Sequence, residues 1–320
     1  MSAALIEAMA SRALGAGIDP HEYRRAFADL RTEADWAPLC GAVATRYREA
    51  PAGSTVTRGE NLLTAARWSH LAALLPDDHQ HAHAAAADAA AEKGFALLEP
   101  DSRRITGREF TGLLRNPGGT TTVLVVPGLD SSKDEFHPLA DALVRRGAAV
   151  FALDGPGQGA RIANSTLSMD YPSVIGAAID ALGVDRVGIV GLSLGGYYVA
   201  AAALRDPRIT VAATVSGPTH LDWAALPDPV RALLARRAGS PTAARTFAGT
   251  VDLGTARVPC PLLVVDGDED RIPGVTDGEP LARHAAQGRY LRVPGGDHLI
   301  GNNHPAWLPA LADHLTGEHA

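Results

Sequence analysis

Residues 187–197 read VGIVGLSLGGY, an apolar β-forming run that enters Gly191-Leu192-Ser193-Leu194-Gly195, and from Gly196 the run GYYVAAAAL is helix-forming. A serine at the tip of a strand-to-helix turn has its hydroxyl thrust out beyond the sheet. The turn is so tight that side chains two residues to either side would strike neighbouring backbone. Glycines at 191 and 195 meet that demand. The following helix aims its N-terminal amides and positive dipole end at the place where an oxyanion would form. Ser193 is therefore the expected nucleophile, with an incidental Gly/Ser turn as the plain alternative.

Around this turn, β-like runs at 105–117, 120–128, 148–157, 186–193, 209–217, 261–270 and 288–296 alternate with helical stretches at 134–146, 170–183, 194–205, 221–238, 276–286 and 304–316. Several strands are continuous Val/Leu/Ile/Ala runs, as strands covered on both faces of a parallel sheet require. The alternation predicts an α/β fold with right-handed crossovers. The first run, 105–117, alternates like an antiparallel edge strand. Upstream the signals are helical: Asp19-Pro20 as N-cap and first helical residue, the stripe Trp36, Cys40, Val43, Tyr47, and an Ala-rich tract to residue 91. The expected division is a helical lid or cap over 1–92 and a catalytic unit over 93–320, with 218–257 as a small insertion over the site.

Functional groups in such sheets gather beyond the carboxyl ends of the strands. A serine hydroxyl needs a histidine to take its proton, and that histidine needs an acid to orient it. After PLLVV come Asp266, Asp268 and Asp270, and Asp270 is the expected acid because the other two suit strand-end and Asx-turn roles. Pro294-Gly-Gly-Asp297-His298 presents the expected base, with His304 as runner-up. The chain order Ser…Asp…His is the one found with a G-x-S-x-G turn.

Two amides should line an oxyanion hole: Leu194, after the nucleophile, and Leu129, in the loop Pro127-Gly128-Leu129-Asp130. Ser132 and Glu135 have capping-box spacing. Alternatively Gly128, Asp130, Lys133 and Glu135 hold a polar substrate there, with Asp222 and Trp223 lining the pocket further on. The glycine-rich 154–159 lacks both the dinucleotide and the P-loop pattern and reads as a turn at the pocket rim. His79, His81 and His83 lack completing ligands, so no metal and no organic cofactor is expected.

Hydrophobic content of 46% and charged content of 20% describe an ordinary globular chain, and a net charge of −7 argues against nucleic acid or an anionic membrane as partner. Two distant cysteines, no apolar run of bilayer length and no signal-like start make the cytoplasm the expected location. A small molecule is the expected partner, and spare apolar helix faces make a homodimer a further expectation.

With these residues together, the chain resembles the α/β-hydrolase fold: a mostly parallel twisted sheet flanked by helices, here with an N-terminal helical lid. It is similar, more narrowly, to the branch containing dihydroxypseudooxynicotine hydrolase, FrsA-like proteins and fungal polyketide-shortening hydrolases. PGLDSSKDE (127–135), DGPGQG (154–159) and GENLLTAARW (59–68) carry that likeness. The chain departs from the branch in its single glycine after Pro127 and in Asp134, where relatives often have Glu. The resemblance implies a Ser193/Asp270/His298 triad, an oxyanion hole near Leu129 and Leu194, and cleavage of a C–C bond beside a ketone or of an ester-like acyl bond. The expected enzyme is thus a serine hydrolase acting on a β-diketone or aryl ketone of secondary metabolism. A carboxylesterase or thioesterase, a cyclase-like catalyst, a receptor, or an interaction protein using the helical region are the alternatives.

Overall fold

The computed structural model describes residues 2–317, so the last three residues of the expected 93–320 unit lie outside the described residues. Five helices come first: α1 (Ser2–Gly15), α2 (Pro20–Ala26), α3 (Trp36–Glu49), α4 (Thr55–Ala72) and α5 (Gln80–Leu98). The helical region therefore runs six residues beyond 92. Asp19 caps α2 by accepting from His21 N and Glu22 N at 2.9 and 2.8 Å. Phe27 stacks on Trp36 with ring centroids 4.2 Å apart, and Trp36 Nε1 donates to Leu71 O at 2.7 Å, which ties α3 to α4.

The remaining elements alternate. They are β1 (Arg103–Thr106), β2 (Thr111–Arg115), β3 (Thr121–Val126), α6 (His137–Val144), β4 (Ala148–Asp154), α7 (Tyr171–Leu182), β5 (Val187–Leu192), α8 (Leu194–Ala203), β6 (Ile209–Val215), β7 (His220–Leu221), α9 (Asp228–Ala238), α10 (Pro241–Ala248), β8 (Pro261–Gly267), β9 (Val275–Thr276), α11 (Glu279–His284), β10 (Gln287–Val293) and α12 (Leu308–Thr316). The sheet order is β1-β2-β4-β3-β5-β6-β8-β10, parallel from β4 through β10 and antiparallel at β1 and β2. Every residue of β4 and β5 is buried, because helices cover both faces of the sheet. One face packs on α6 and α12, the other on α7, α8 and α9.

Two local expectations are corrected. Residues 105–117 are not one edge strand: the chain turns at 107–110, where Gly107 N donates to Phe110 O, so β1 and β2 form a hairpin. The stretch 221–238 is helical only from Asp228; its start is drawn into an antiparallel ribbon in which β7 pairs with β9, His220 with Thr276 and Leu221 with Val275. Among the described residues no helix is long and apolar enough to cross a membrane.

Candidate active site

Ser193 sits between β5 and α8 with φ 53° and ψ −129°, a region that non-glycine residues occupy at a cost of about 1–3 kcal/mol. The glycines around it are sterically required. A Cβ at Gly191 would fall 2.1 Å from Gly195 O, and one at Gly195 would fall 2.3 Å from Val126 O.

The sheet brings Ser193, His298 and Asp270 together although 105 and 28 residues separate the contacting pairs. His298 Nδ1 lies 3.0 Å from both Asp270 oxygens, and His298 Nε2 lies 2.9 Å from Ser193 Oγ. With Asp270 accepting at Nδ1, the neutral ring carries its proton there and leaves Nε2 to accept from the serine hydroxyl. Asp268 is occupied elsewhere, accepting from Gly295 N at 2.6 Å, and Asp266 accepts from Gly278 N at 2.8 Å. His304 packs edge-on against Trp307, away from Ser193. Leu299 N donates to Ser216 Oγ at 3.0 Å and so steadies the histidine loop from the sheet side.

Burial pushes the Asp266 carboxyl from its ordinary 3.8 up to about 7; the Gly278 amide opposes the shift, and Asp277 and Asp270 add to it. The folded chain thus holds a proton that the unfolded chain releases, so stability falls as pH rises from about 4 to about 7. Asp266→Asn is expected to flatten that slope, matching wild type below this window and exceeding it above. Urea midpoints across pH check this, and parallel curves for the two proteins would contradict it.

Leu129 and Leu194 both border a cavity of about 220 Å³ that opens on Ser193 and His298. Leu129 N donates to no described backbone or side-chain acceptor, and Leu194 N, at the first position of α8, has no intrahelical acceptor. Gln158 fixes the Leu129 loop by donating from Nε2 to Pro127 O and Gly128 O at 2.8 and 2.7 Å. The 154–159 turn therefore supports that loop from beneath rather than rimming the pocket.

The cavity wall is largely apolar: Pro218, Leu221, Ile272 and Val275, with Val230, Leu233 and Leu234 from α9. The segment between β6 and β8 thus contributes to this wall through α9. Gly128, Asp130 and Ser131 border the cavity, and of the described N-terminal helices α1 alone reaches it, through Arg12.

Four expected substrate contacts line no part of this cavity. Asp222 is exposed, with its Oδ1 accepting from Ala224 N, because the β7–β9 pairing turns Leu221 inward and its neighbour outward. Trp223 packs against the core beside it. Lys133 is buried among Asp88, Asp134 and Asp154, at 2.6, 2.9 and 3.1 Å. Burial pulls its pKa down, but those carboxylates outweigh it and hold the ammonium charged. Lys133→Met leaves Asp134 and Asp154 without their cation, while Asp88 keeps Arg104, with an expected cost of about 3–5 kcal/mol by urea denaturation.

Glu135 forms no capping box. Arg12 takes it in a fork, with Nε to Oε1 at 2.5 Å and Nη2 to Oε2 at 2.9 Å, while His70 Nε2 lies 3.1 Å from Oε2 and Ser131 Oγ also donates to it. Burial would raise the Glu135 pKa, but Arg12 and His70 hold it well below the usual range. Arg12, His70, Gln158 and Ser216 were not identified from the sequence. No local pattern marks them, since the partners named here lie 30 to 123 residues away.

Residues 121–257 match the family model for the alpha/beta hydrolase fold. The chain is 27% identical over 221 residues to 2,6-dihydropseudooxynicotine hydrolase of Paenarthrobacter nicotinovorans, covering 63% of this chain and 60% of that protein. It is 39% identical over 121 residues to 20-hydroxy-prefusarin hydrolase FUS2 of Gibberella moniliformis, covering 33% and 28%. It is 33% identical over 139 residues to alpha/beta hydrolase psoB of Aspergillus fumigatus, covering 39% and 29%. These alignments span less than two thirds of each relative's own length. Among solved structures, that of 2,6-dihydroxy-pseudo-oxynicotine hydrolase superposes with a TM-score of 0.81 at 23% identity, covering 96% of both chains. AbyA5 superposes with a TM-score of 0.75 at 20% identity, covering 93% of this chain and 90% of its own.

Proposed function

We propose that this chain, a protein of the α/β-hydrolase fold with hydrolases among its relatives, is a serine hydrolase that cleaves a C–C bond next to a carbonyl in a β-diketone or aryl ketone. The observation that carries the reading is the relay from Asp270 through His298 to Ser193, at 3.0 and 2.9 Å, opening on an apolar cavity. Ser193 Oγ attacks the carbonyl carbon as His298 Nε2 takes its proton, and the Leu129 and Leu194 amides receive the oxyanion. Collapse of the tetrahedral adduct breaks the bond to the neighbouring carbon. From a β-diketone that carbon leaves as an enolate stabilised by the second ketone, and from an aryl ketone as a carbon of an electron-rich ring; in either case it takes the proton from His298. Water then gives its proton to His298 and attacks the acyl-serine; the acid is released and Ser193 is restored.

The relatives' names support a hydrolase, and the apolar wall from α9 suits an aryl or alkyl acyl group. The test compares 1-phenylbutane-1,3-dione with a short-chain nitrophenyl ester. Diketone cleavage is expected; turnover of the ester alone would replace this reading with a carboxylesterase or thioesterase using the same residues.

A further inference from the structure

Two adjacent residues of α1 reach opposite sides of the site. Ser11 Oγ donates to Asp297 Oδ1 at 2.7 Å across 286 residues, and Asp297 immediately precedes His298. Arg12 Nη1 donates to Asp130 Oδ2 at 2.7 Å across 118 residues, and Asp130 immediately follows Leu129. Each of these two contacts is therefore one residue away from a group assigned to the chemistry. The seating of the helix is fixed by close backbone approach: a Cβ on Gly15 would come within 2.9 Å of Gly301 Cα, and one on Gly301 within 2.3 Å of Ser11 O. Arg12 is nearly buried, at 16% side-chain exposure, and its remaining donors are taken by Glu135, so two carboxylates of the 130–135 loop, Asp130 and Glu135, hang on one guanidinium.

We infer that α1 is a brace between the oxyanion loop and the histidine loop, in which Arg12 and Ser11 are positioning residues that fix Leu129 N and His298 relative to each other. The inference rests on the serine-hydrolase reading above. The physical reason is the geometric tolerance of the reaction. An oxyanion-hole amide must sit within about 3 Å of the developing charge, and a displacement of about 1 Å costs about 100-fold in rate. Gln158 and Ser216 hold the two loops from within the sheet unit, and α1 spans the gap between them. The fork matters as well as the charge, because a lysine at position 12 can reach one carboxylate at a time.

The test uses the full chain with the diketone, and phenylboronic acid as a mimic of the tetrahedral adduct. Arg12→Ala is expected to lower kcat by about 100-fold with KM changed by less than about threefold, and to weaken boronate inhibition in proportion to kcat/KM. Arg12→Lys and Ser11→Ala, which remove fewer contacts, are expected to lower kcat about tenfold with unchanged melting temperature, and they decide the matter if Arg12→Ala does not fold. Wild-type kcat and boronate affinity in those two variants would overturn the brace. A loss expressed in KM alone would overturn it too, making Arg12 a substrate contact. Labelling of Ser193 by a fluorophosphonate in the wild type separates the two claims. With labelling present, silent variants remove the brace alone; with labelling absent, the hydrolase reading falls and the brace with it.

Discussion

Ser193→Ala is expected to lower kcat by about 10⁴- to 10⁶-fold while leaving the chain folded. Nucleophile and base act as a unit, so losing the hydroxyl removes the covalent route altogether. What remains is whatever rate the amides of Leu129 and Leu194 and the cavity supply by binding alone. Stability should hold because alanine keeps the strained backbone at φ 53° that serine already adopts, and what is lost is one hydrogen bond to a part-exposed His298. That loss amounts to about 1 kcal/mol. Steady-state kinetics on 1-phenylbutane-1,3-dione with a urea melt on the same preparation separates the two quantities. A variant that unfolds, or one that retains more than about a tenth of wild-type kcat, would contradict the assignment.

The second large effect is expected at Asp270. Asp270→Asn should lower kcat by about 10⁴-fold, since an amide in place of the carboxylate no longer holds the Nδ1–H tautomer that frees Nε2 for the serine proton. Asp268→Asn should stay near wild type, because an asparagine oxygen can still accept from Gly295 N. The pair of variants chooses between acids two residues apart. Equal losses would mean that the 266–270 turn acts through its fold alone.

What was legible in the sequence is what local sterics and periodicity dictate. The 191–195 turn could be read because glycines at both ends are demanded by backbone contacts near 2 Å, whatever the rest of the chain does. The buried parallel strands could be read because being covered on both faces leaves a continuous apolar run. Glu135 shows where local reading ends. Its spacing from Ser132 fits a cap, yet Arg12, 123 residues earlier, offers a buried fork, and two parallel bonds from a full cation outweigh the single backbone N–H of a cap. Lys133 follows the same logic: Asp88 of α5 reaches it and turns it away from the cavity. The β7–β9 ribbon and the turn at Gly107 escaped because two-residue strands and tight hairpins leave little periodicity to read.

The most direct test of the central claim, that Ser193 is a nucleophile activated by His298 and Asp270, is covalent labelling followed by peptide mapping. Trypsin cuts after Arg186 and Arg205, so residues 187–205 emerge as one peptide carrying Ser193. A fluorophosphonate is expected to add its mass to that peptide in the wild type, with the adduct on Ser193, and to leave Ser193→Ala and His298→Ala unlabelled. No adduct in the wild type, an adduct on another residue, or undiminished labelling without His298 would contradict the account.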